Sequence, residues 1–301
     1  MANILPTDRF IEAGSLRLRA REWTPGAGGG DAFPLLLLHG LASSAVIWDL
    51  AAPRLAETRR VVALDQRGHG LSEKPDGGYD FASIVADDLA AVDALGLGER
   101  FVVAGHSWGA NAALELAAHS PQRVAALLLV DGGFGMLRDR PGATWEQISH
   151  DLAPPRFTGT PRETYLGWVR TGIPGAGPEI ERIELNIVEL RADDTVAPRL
   201  SFENHMRILQ AMWDEDANSL FARVRAPTLY LLAEGLRAES ALGEDGFLAA
   251  KRRGASLAPQ RMTNAPRVEV AWLVDTVHDI PLQRPAELSE RMIDFMRAVG
   301  M

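Results

Sequence analysis

Hydrophobic runs and helical patterns alternate along residues 1–130 of the chain. The nearly unbroken hydrophobic runs are typical of strands that a parallel sheet buries on both faces, and they cover 34–38, 60–64, 101–104 and 124–130. Hydrophobic residues recur at helical spacing between these runs, over 44–56, 81–95 and 108–119. Two earlier segments, 9–13 and 16–23, alternate as the strands of an antiparallel hairpin do. This order predicts an α/β fold with a doubly wound, mostly parallel sheet.

The alternation stops after Asp131, and the segment 134–224 contains no convincing buried strand. Several parts of that segment have helical patterns, namely 144–152, 162–170, 178–190 and 201–213. Strands and helices then alternate again, in the order 227–232, 242–253, 268–274 and 286–299. The predicted organisation is an α/β core built from residues 1–133 and 225–301, with a helical cap formed by residues 134–224.

Composition and charge narrow the range of partners. A formal net charge of −9 repels nucleic-acid phosphates and anionic lipid surfaces, so neither nucleic acid nor a membrane is an expected partner. The absence of cysteine excludes disulfides, thiolate metal sites and cysteine nucleophiles. Residues 1–9 lack the basic and then apolar pattern of a signal peptide, and no apolar stretch approaches the length of a membrane span. We therefore expect a cytoplasmic protein.

The sequence Gly105-His106-Ser107-Trp108-Gly109 lies between a predicted strand and a predicted helix. A nucleophile elbow requires this strand–turn–helix context. Glycines are needed on both sides of the serine because the turn is too tight for other side chains, and the serine takes a strained backbone conformation. We therefore predict that Ser107 is a nucleophile whose hydroxyl is presented to a cleft.

A serine hydroxyl needs a base within hydrogen-bond reach to act as a nucleophile near neutral pH. His278 lies late in the chain, where the order nucleophile, acid, histidine places such a base. His106 is expected to point away from Ser107, since adjacent side chains of a strand alternate. The remaining histidines are interpreted as structural, and they are His39, His69, His119, His150 and His205. His278 is thus the predicted general base.

Four motifs together resemble the α/β-hydrolase superfamily over nearly the whole chain. They are His39-Gly40 after a core strand, the loop DQRGHGLS from Asp65 to Ser72, the elbow around Ser107, and His278 before the last helix. The resemblance implies that the backbone N–H groups of Leu41 and Trp108 form an oxyanion hole. The loop that begins at Asp65 is interpreted as a structural brace beside the cleft.

The place of the triad acid departs from the commonest pattern of this superfamily. Most members carry the acid some residues after the strand that corresponds to 227–232, where this chain has no acidic residue at the matching positions. Some members, including one group of haloalkane dehalogenases, use an acid directly after the preceding core strand. Asp131 occupies that place, and we predict that it holds the tautomer of His278. Glu234 and then Glu239 remain the alternatives.

A serine nucleophile favours acyl transfer, with attack on an ester-like carbonyl, an acyl-enzyme and its release by water. Ser107 excludes the aspartyl-ester chemistry of the dehalogenases and epoxide hydrolases that the chain otherwise resembles. The expected reaction is hydrolysis of a carboxylic ester or a lactone. Carbon–carbon bond hydrolysis is the next enzymatic alternative, followed by peptidase or amidase activity, and a non-catalytic ligand-binding protein is the alternative from another class.

No metal or organic cofactor is expected, because the histidines and carboxylates show no ligand spacing and a serine triad needs none. Aromatic residues of the predicted cap suggest a hydrophobic pocket roof, and they are Trp145, Tyr165, Trp168, Phe202 and Trp213. We therefore expect a small-molecule substrate with an apolar part.

Overall fold

The computed structural model describes residues 4–26, 32–140, 142–236 and 246–301. Its eight-stranded main sheet consists of β1 (Thr7–Ala13), β2 (Leu16–Trp23), β3 (Leu35–Leu38), β4 (Val61–Leu64), β5 (Phe101–His106), β6 (Val124–Val130), β10 (Thr228–Ala233) and β11 (Val268–Leu273). A small second sheet consists of β7 (Thr160–Pro161), β8 (Glu189–Leu190) and β9 (Thr195–Ala197). The predicted hairpin and the six predicted core strands are all present in the main sheet.

The strands of the main sheet lie in the order β1-β2-β4-β3-β5-β6-β10-β11. β1 pairs antiparallel with β2, and β2 pairs antiparallel with β4. All other neighbours are parallel, with Leu38 opposite Gly105 between β3 and β5, and His106 opposite Val130 between β5 and β6. The mostly parallel, doubly wound sheet predicted from the sequence is confirmed.

The helices follow the strands in the predicted alternation. They are α1 (Ala52–Leu55), α2 (Phe81–Leu95), α3 (Trp108–His119), α4 (Trp145–Asp151), α5 (Arg162–Gly172), α6 (Pro178–Ile187), α7 (Phe202–Asp214), α8 (Ala217–Phe221), α9 (Gly246–Arg261), α10 (Ile280–Gln283) and α11 (Pro285–Ala298). α2 and α3 have the bounds that hydrophobic periodicity predicts. Part of the predicted helix 242–253 precedes residue 246 and falls outside the described residues.

Both faces of the central strands are buried, which explains their unbroken hydrophobic sequences. Leu36 and Leu38 of β3 pack on the face that α2, α3 and α9 cover, whereas Leu35 and Leu37 pack on the face that α1 and α11 cover. Successive side chains of a strand point to opposite faces, so a strand with helices on both sides requires hydrophobic residues at every position.

Three predictions about local structure were wrong. The predicted helix 44–56 is a 3₁₀ turn at Ala45–Trp48 followed by the short α1, because Pro53 cannot donate the hydrogen bond that a continuous helix would need. The predicted helix 178–190 ends at Ile187, and Glu189–Leu190 pairs with β9. The segment 134–224 therefore contains short strands as well as helices, and strands of two or three residues leave no periodic signal in a sequence.

Within the described ranges, no helix combines the length and hydrophobicity that crossing a membrane would require.

Candidate active site

The candidate site lies where the chain changes direction within the sheet. From β3 the chain proceeds to β4 on one side, and then returns to β5 on the other side of β3. The loops that follow β3 and β5 therefore diverge and leave a crevice beyond the carboxyl ends of these strands, where α/β sheets commonly bind ligands. Leu41 lies in the first of these loops and Ser107 in the second.

Ser107 occupies a strained turn between β5 and α3. Its φ of 55° and ψ of −122° are unfavourable for a residue with a side chain, and its N–H donates to the carbonyl of Val130 at 2.9 Å. A Cβ at Gly105 would lie 2.0 Å from the carbonyl oxygen of Gly109, and a Cβ at Gly109 would lie 2.5 Å from that of Leu38. The chain can form this turn only because both flanking residues are glycine.

One cavity of about 530 Å³ brings together the residues that the sequence singled out. Its lining includes Leu41, Ser107, Trp108, Asp131 and His278. The segment 134–224 contributes further walls to the same cavity, through Leu152, Leu209 and Met212. The predicted nucleophile, acid, base and oxyanion residues thus lie around one space, although they come from four separate parts of the sequence.

A second cavity of about 700 Å³ lies on the other side of Leu41, which lines both cavities. Of the aromatic residues expected to form a pocket roof, Tyr165 and Phe202 line this second cavity. Neither of these two residues lines the cavity at Ser107, to which the segment 134–224 contributes Phe134 together with aliphatic, methionine and polar residues.

Asp131 directly contacts His278. The distance from His278 Nδ1 to Asp131 Oδ2 is 2.6 Å, and the backbone N–H of Ala233 donates to Asp131 Oδ1 at 2.8 Å. The Asp131 side chain has no solvent exposure, whereas 45% of the His278 side chain is accessible. Asp131 itself has a φ of 46°, so its backbone is held in a left-handed conformation directly after β6.

The two groups shift each other's ionisation. Desolvation lowers the pKa of His278, but the hydrogen bond with Asp131 and the negative charge of that residue outweigh it, so that the pKa is raised. Burial by itself raises the pKa of Asp131, but the contacts with His278 and with Lys251 outweigh it and keep the pKa below its usual value. Asp131 is therefore an anion at neutral pH, as a group that orients an imidazole must be.

Sequence reasoning missed Lys251, which contacts the same carboxylate. Its Nζ lies 2.8 Å from Oδ1 and 2.9 Å from Oδ2 of Asp131, and it also donates to the carbonyl of Ala233 at 3.0 Å. Lys251 lies on α9 and is 5% exposed. A single lysine within a helical pattern gives no signal for such a contact, because its partner is 120 residues away.

His106 has a role that the sequence did not reveal. Its ring lies beside that of His278, with 4.8 Å between the ring centroids, and its Nε2 donates to the backbone carbonyl of His278 at 2.9 Å. His106 is buried, and it fixes the backbone of the loop that carries His278. Strand alternation could not predict this contact, since the contact depends on where a distant loop returns.

His39 and His69 brace the loop that carries Leu41. His39 Nδ1 donates to the carbonyl of Gly40 at 2.7 Å, and its Nε2 accepts from the N–H of Gln66 at 3.0 Å. His69 Nε2 accepts from the N–H of Ala42 at 3.2 Å. Burial lowers the pKa of His39 to about 4 and that of His69 well below its usual value, so both rings are neutral at pH 7.

The loop that begins at Asp65 also braces the region around Leu41. Asp65 is fully buried, and its Oδ1 accepts from the N–H of Ala45 at 2.7 Å while its Oδ2 accepts from the N–H of Leu71 at 2.8 Å. The Arg19 guanidinium lies 3.1 Å from the same carboxylate. These contacts agree with the structural interpretation of this loop.

Trp108 begins α3, so its backbone N–H has no acceptor within the helix. The indole is 1% exposed and stacks on His69, with 5.1 Å between the ring centroids. The backbone of Trp108 is thus available at the cavity while its ring packs in the core.

Glu234, the first alternative acid, does not reach His278. Glu234 lies 3.5 Å from the Arg252 guanidinium, with about a third of its side chain exposed, and it does not line the cavity that contains Ser107. Glu239 lies outside the described residues. Of the two suggested carboxylates that the structure describes, Asp131 is the one in contact with the imidazole.

Within the parts of the chain that the structure describes, no group of three or more His, Cys, Asp or Glu side chains is arranged to hold a metal ion.

Comparisons with known proteins agree with this architecture. The sequence profile of the alpha/beta hydrolase fold family matches residues 34–171. The chain is 36% identical over 137 residues to 2-(acetamidomethylene)succinate hydrolase of Mesorhizobium japonicum (strain LMG 29417 / CECT 9101 / MAFF 303099), which is 44% of this chain and 46% of that protein. It is 40% identical over 104 residues to 2-hydroxymuconate semialdehyde hydrolase of Pseudomonas putida, or 34% of this chain and 37% of that protein. The chain therefore spans less than half the length of these two relatives.

A solved structure extends the similarity to almost the whole fold. The crystal structure of E-2-(acetamidomethylene)succinate hydrolase has a TM-score of 0.76 with this chain at 20% sequence identity, and the match covers 97% of this chain and 99% of that one. The matched profile, the sheet order and this similarity lead to one conclusion: the chain has the α/β-hydrolase fold, and its residues 34–171 match the profile of that fold family.

Proposed function

We propose that the protein is a serine hydrolase that cleaves a carboxylic ester or a lactone through an acyl-enzyme on Ser107. The observation that carries this proposal is the placement of Ser107, on a strained turn, in the same cavity as an imidazole whose other nitrogen lies 2.6 Å from a buried carboxylate. This arrangement contains a nucleophile, a base and a group that orients the base.

The proposed reaction begins with attack of the Ser107 hydroxyl oxygen on the substrate carbonyl carbon. His278 takes the hydroxyl proton through Nε2, because Nδ1 is occupied by Asp131. The tetrahedral oxyanion then accepts hydrogen bonds from the backbone N–H groups of Leu41 and Trp108, each worth about 3 to 4 kcal/mol of transition-state stabilisation. His278 gives its proton to the leaving alcohol, the carbon–oxygen bond breaks, and the acyl group remains on Ser107.

Water completes the cycle by the same route in reverse. His278 accepts a proton from the water as its oxygen attacks the acyl carbon, and the second tetrahedral intermediate expels the Ser107 oxygen, which recovers the proton. Asp131 stays ionised throughout and stabilises the imidazolium that forms in each half-reaction.

Cavity chemistry supports a small-molecule substrate with an apolar part. The walls beside Ser107 include Phe134, Met136, Leu209 and Met212. A volume of about 530 Å³ lies within the range of pockets that enclose one small molecule. Hydrocarbon walls stabilise an acyl or alcohol group by about 25 cal/mol for each Å² of apolar surface removed from water.

A fluorophosphonate probe tests the proposed nucleophile. We expect a covalent adduct on the peptide that contains Ser107, located by tandem mass spectrometry, and no adduct in the Ser107→Ala variant. Ser120 is a suitable internal control, because it is a buried serine at the opposite end of the same helix and should remain unlabelled. Failure to label folded wild-type protein at Ser107 would favour the non-catalytic ligand-binding alternative.

Carbon–carbon bond hydrolysis is the second candidate, because one relative acts on 2-hydroxymuconate semialdehyde, a name that describes no ester. A matched panel separates the two candidates: p-nitrophenyl esters and lactones of graded size against vinylogous 1,5-diketones. We expect the esters or lactones to have the higher kcat/KM. Turnover of the diketones alone, lost in Ser107→Ala, would establish the second candidate instead.

A further inference from the structure

The wall of the cavity at Ser107 contains several polar residues besides the candidate catalytic ones, namely Asn111, Asp139, Arg140, His205, Glu215, Arg253 and Arg261. Asn111 and Glu215 both line it, and they are 7% and 5% exposed. The Asn111 Nδ2 donates to Glu215 Oε2 at 2.5 Å. Among the described residues, the second carboxyl oxygen, Oε1, has no hydrogen-bond partner although it is buried. Buried polar atoms are nearly always paired, so this oxygen retains an unused hydrogen-bonding position beside the cavity.

The surroundings of Glu215 keep its carboxyl group protonated near neutral pH. Desolvation raises the pKa of Glu215 to about 8, and the nearby acids Glu115 and Asp216 add to this rise, whereas the hydrogen bond from Asn111 opposes it. The Arg138 guanidinium is bonded to the backbone carbonyls of Asp214 and Glu215. A neutral carboxyl group that accepts from Asn111 on one oxygen carries its proton on the other, and it can donate a hydrogen bond there.

The position of the pair relative to the nucleophile follows from helix geometry. Asn111 is four residues after Ser107 at the start of α3, so the two lie on the same side of the helix, separated by about 6 Å along its axis. A distance of about 6 Å corresponds to about four or five bonds of a staggered carbon chain. A substrate that is attacked at Ser107 can thus place one polar atom at this pair.

We infer that the Asn111–Glu215 pair is a polar subsite that recognises a neutral oxygen, a ketone or hydroxyl, about four or five bonds from the carbonyl that Ser107 attacks. This inference rests on the proposed function, because it takes Ser107 as the point of attack. Acyl groups with such an oxygen would complete the hydrogen bonding of Glu215, whereas purely hydrocarbon acyl groups would leave a buried donor unpaired.

The test compares p-nitrophenyl 5-oxohexanoate with p-nitrophenyl hexanoate, which differ by one ketone oxygen. The measured quantity is the ratio of their kcat/KM values, since effects on the common chemical steps cancel in that ratio. We expect a ratio of about five to ten in the wild-type protein at pH 7. The ratio should fall to about one in Glu215→Leu and should be kept in Glu215→Gln, which retains a donor.

The dependence of this ratio on pH distinguishes hydrogen bonding from shape. Above about pH 8 the wild-type Glu215 loses its proton and can no longer donate, so the ratio should fall, while that of Glu215→Gln should stay constant. Glu115→Gln is the matched control on α3, because Glu115 does not line the cavity. This change removes a negative charge that raises the pKa of Glu215, so the decrease of the kcat/KM ratio should occur at lower pH. A ratio near one in the wild type, or an unchanged ratio in folded Glu215→Leu, would overturn the inference.

Binding measurements keep the test independent of turnover. Calorimetry on Ser107→Ala with ethyl 5-oxohexanoate and ethyl hexanoate should show about a fivefold to tenfold tighter Kd for the oxo ester. If neither p-nitrophenyl ester is hydrolysed by the wild type but this difference in Kd is present, the proposed function fails and the subsite stands. Equal Kd values would reject the subsite, whether or not the esters are hydrolysed.

Discussion

Replacing Lys251 by methionine should make His278 more basic. The lysine Nζ lies 2.9 Å from the same Asp131 oxygen that contacts His278 Nδ1 at 2.6 Å, so the lysine charge and the imidazole are separated by at most about 5.5 Å. A positive charge at that distance disfavours protonation of the imidazole. Methionine has a similar length but no charge, so Lys251→Met removes the repulsion and leaves most of the packing.

Coulomb's law gives the size of the expected effect. Two unit charges about 5.5 Å apart interact by about 3 kcal/mol at an effective dielectric constant of about 20, which corresponds to about 2 pKa units. Because 45% of the His278 side chain is accessible, solvent reduces this interaction. We therefore expect the pKa of His278 to rise by about 1 unit in Lys251→Met.

The assay is the pH dependence of kcat/KM for a p-nitrophenyl ester, measured between about pH 5 and 9. The acidic limb of the profile reports protonation of the general base, and it should move about 1 unit to higher pH in Lys251→Met. Arg252→Met is the matched control, because Arg252 is the next residue on α9 and pairs with Glu234 rather than with Asp131. Its acidic limb should coincide with that of the wild type.

Stability provides a second readout for the same variant. Removing one partner of a buried ion pair lowers the free energy of unfolding. We expect a loss of about 3 kcal/mol in Lys251→Met, because Asp131 still has its contacts with His278 and with the N–H of Ala233. The melting temperature should fall accordingly. A folded Lys251→Met protein whose acidic limb is unchanged, or moves to lower pH, would refute the electrostatic reasoning.

Three further predictions concern the same site. In the pH dependence of kcat/KM of the wild type, the midpoint of the acidic limb should lie above pH 6.5, because Asp131 raises the pKa of His278 and the base acts only when it is neutral. A midpoint below pH 6.5 would contradict this prediction. Asp131→Asn should lower kcat by about 10⁴-fold through loss of the correct tautomer, whereas Glu234→Gln should retain nearly full kcat in the same assay. Gly132→Ala should lower stability by about 3 kcal/mol in thermal unfolding, because its Cβ would lie 2.2 Å from the carbonyl oxygen of Ser107.

Gly77→Ala is the control for Gly132→Ala. A Cβ at Gly77 would meet no atom within 4 Å, so its melting temperature should change little. Equal melting temperatures for the two variants would show that a Cβ so close to the carbonyl oxygen of Ser107 does not lower stability, which would contradict the prediction.

The sequence predicted most of the fold because its central strands are buried on both faces. Runs such as Leu35–Leu38 are explained by burial on both faces of a sheet in an α/β chain, and α2 and α3 have hydrophobic faces that fix their length. The elbow was recognisable because glycine is required at two positions where the structure leaves no room for a Cβ. Patterns of this kind are local, so they can be read along the chain.

The features that the sequence could not predict depend on distant parts of the chain meeting. Lys251 reaches Asp131 across 120 residues, and His106 reaches the backbone of His278 across 172. Nothing in the residues around Lys251 distinguishes it from an ordinary surface lysine of a helix. The pair Asn111–Glu215 was missed for the same reason, since it joins α3 to the end of α7.

The two neutral histidines beneath Leu41 make the shape of that loop insensitive to acidity. Both rings accept hydrogen bonds from backbone N–H groups, which they can do only while unprotonated. Since His39 gains a proton only near pH 4 and His69 also resists protonation, the loop keeps its conformation across the range in which His278 titrates. A change of pH around neutrality would therefore alter the charge of the proposed base without displacing the N–H groups proposed to bind the oxyanion, so that the rate would respond to one proton rather than to a rearrangement.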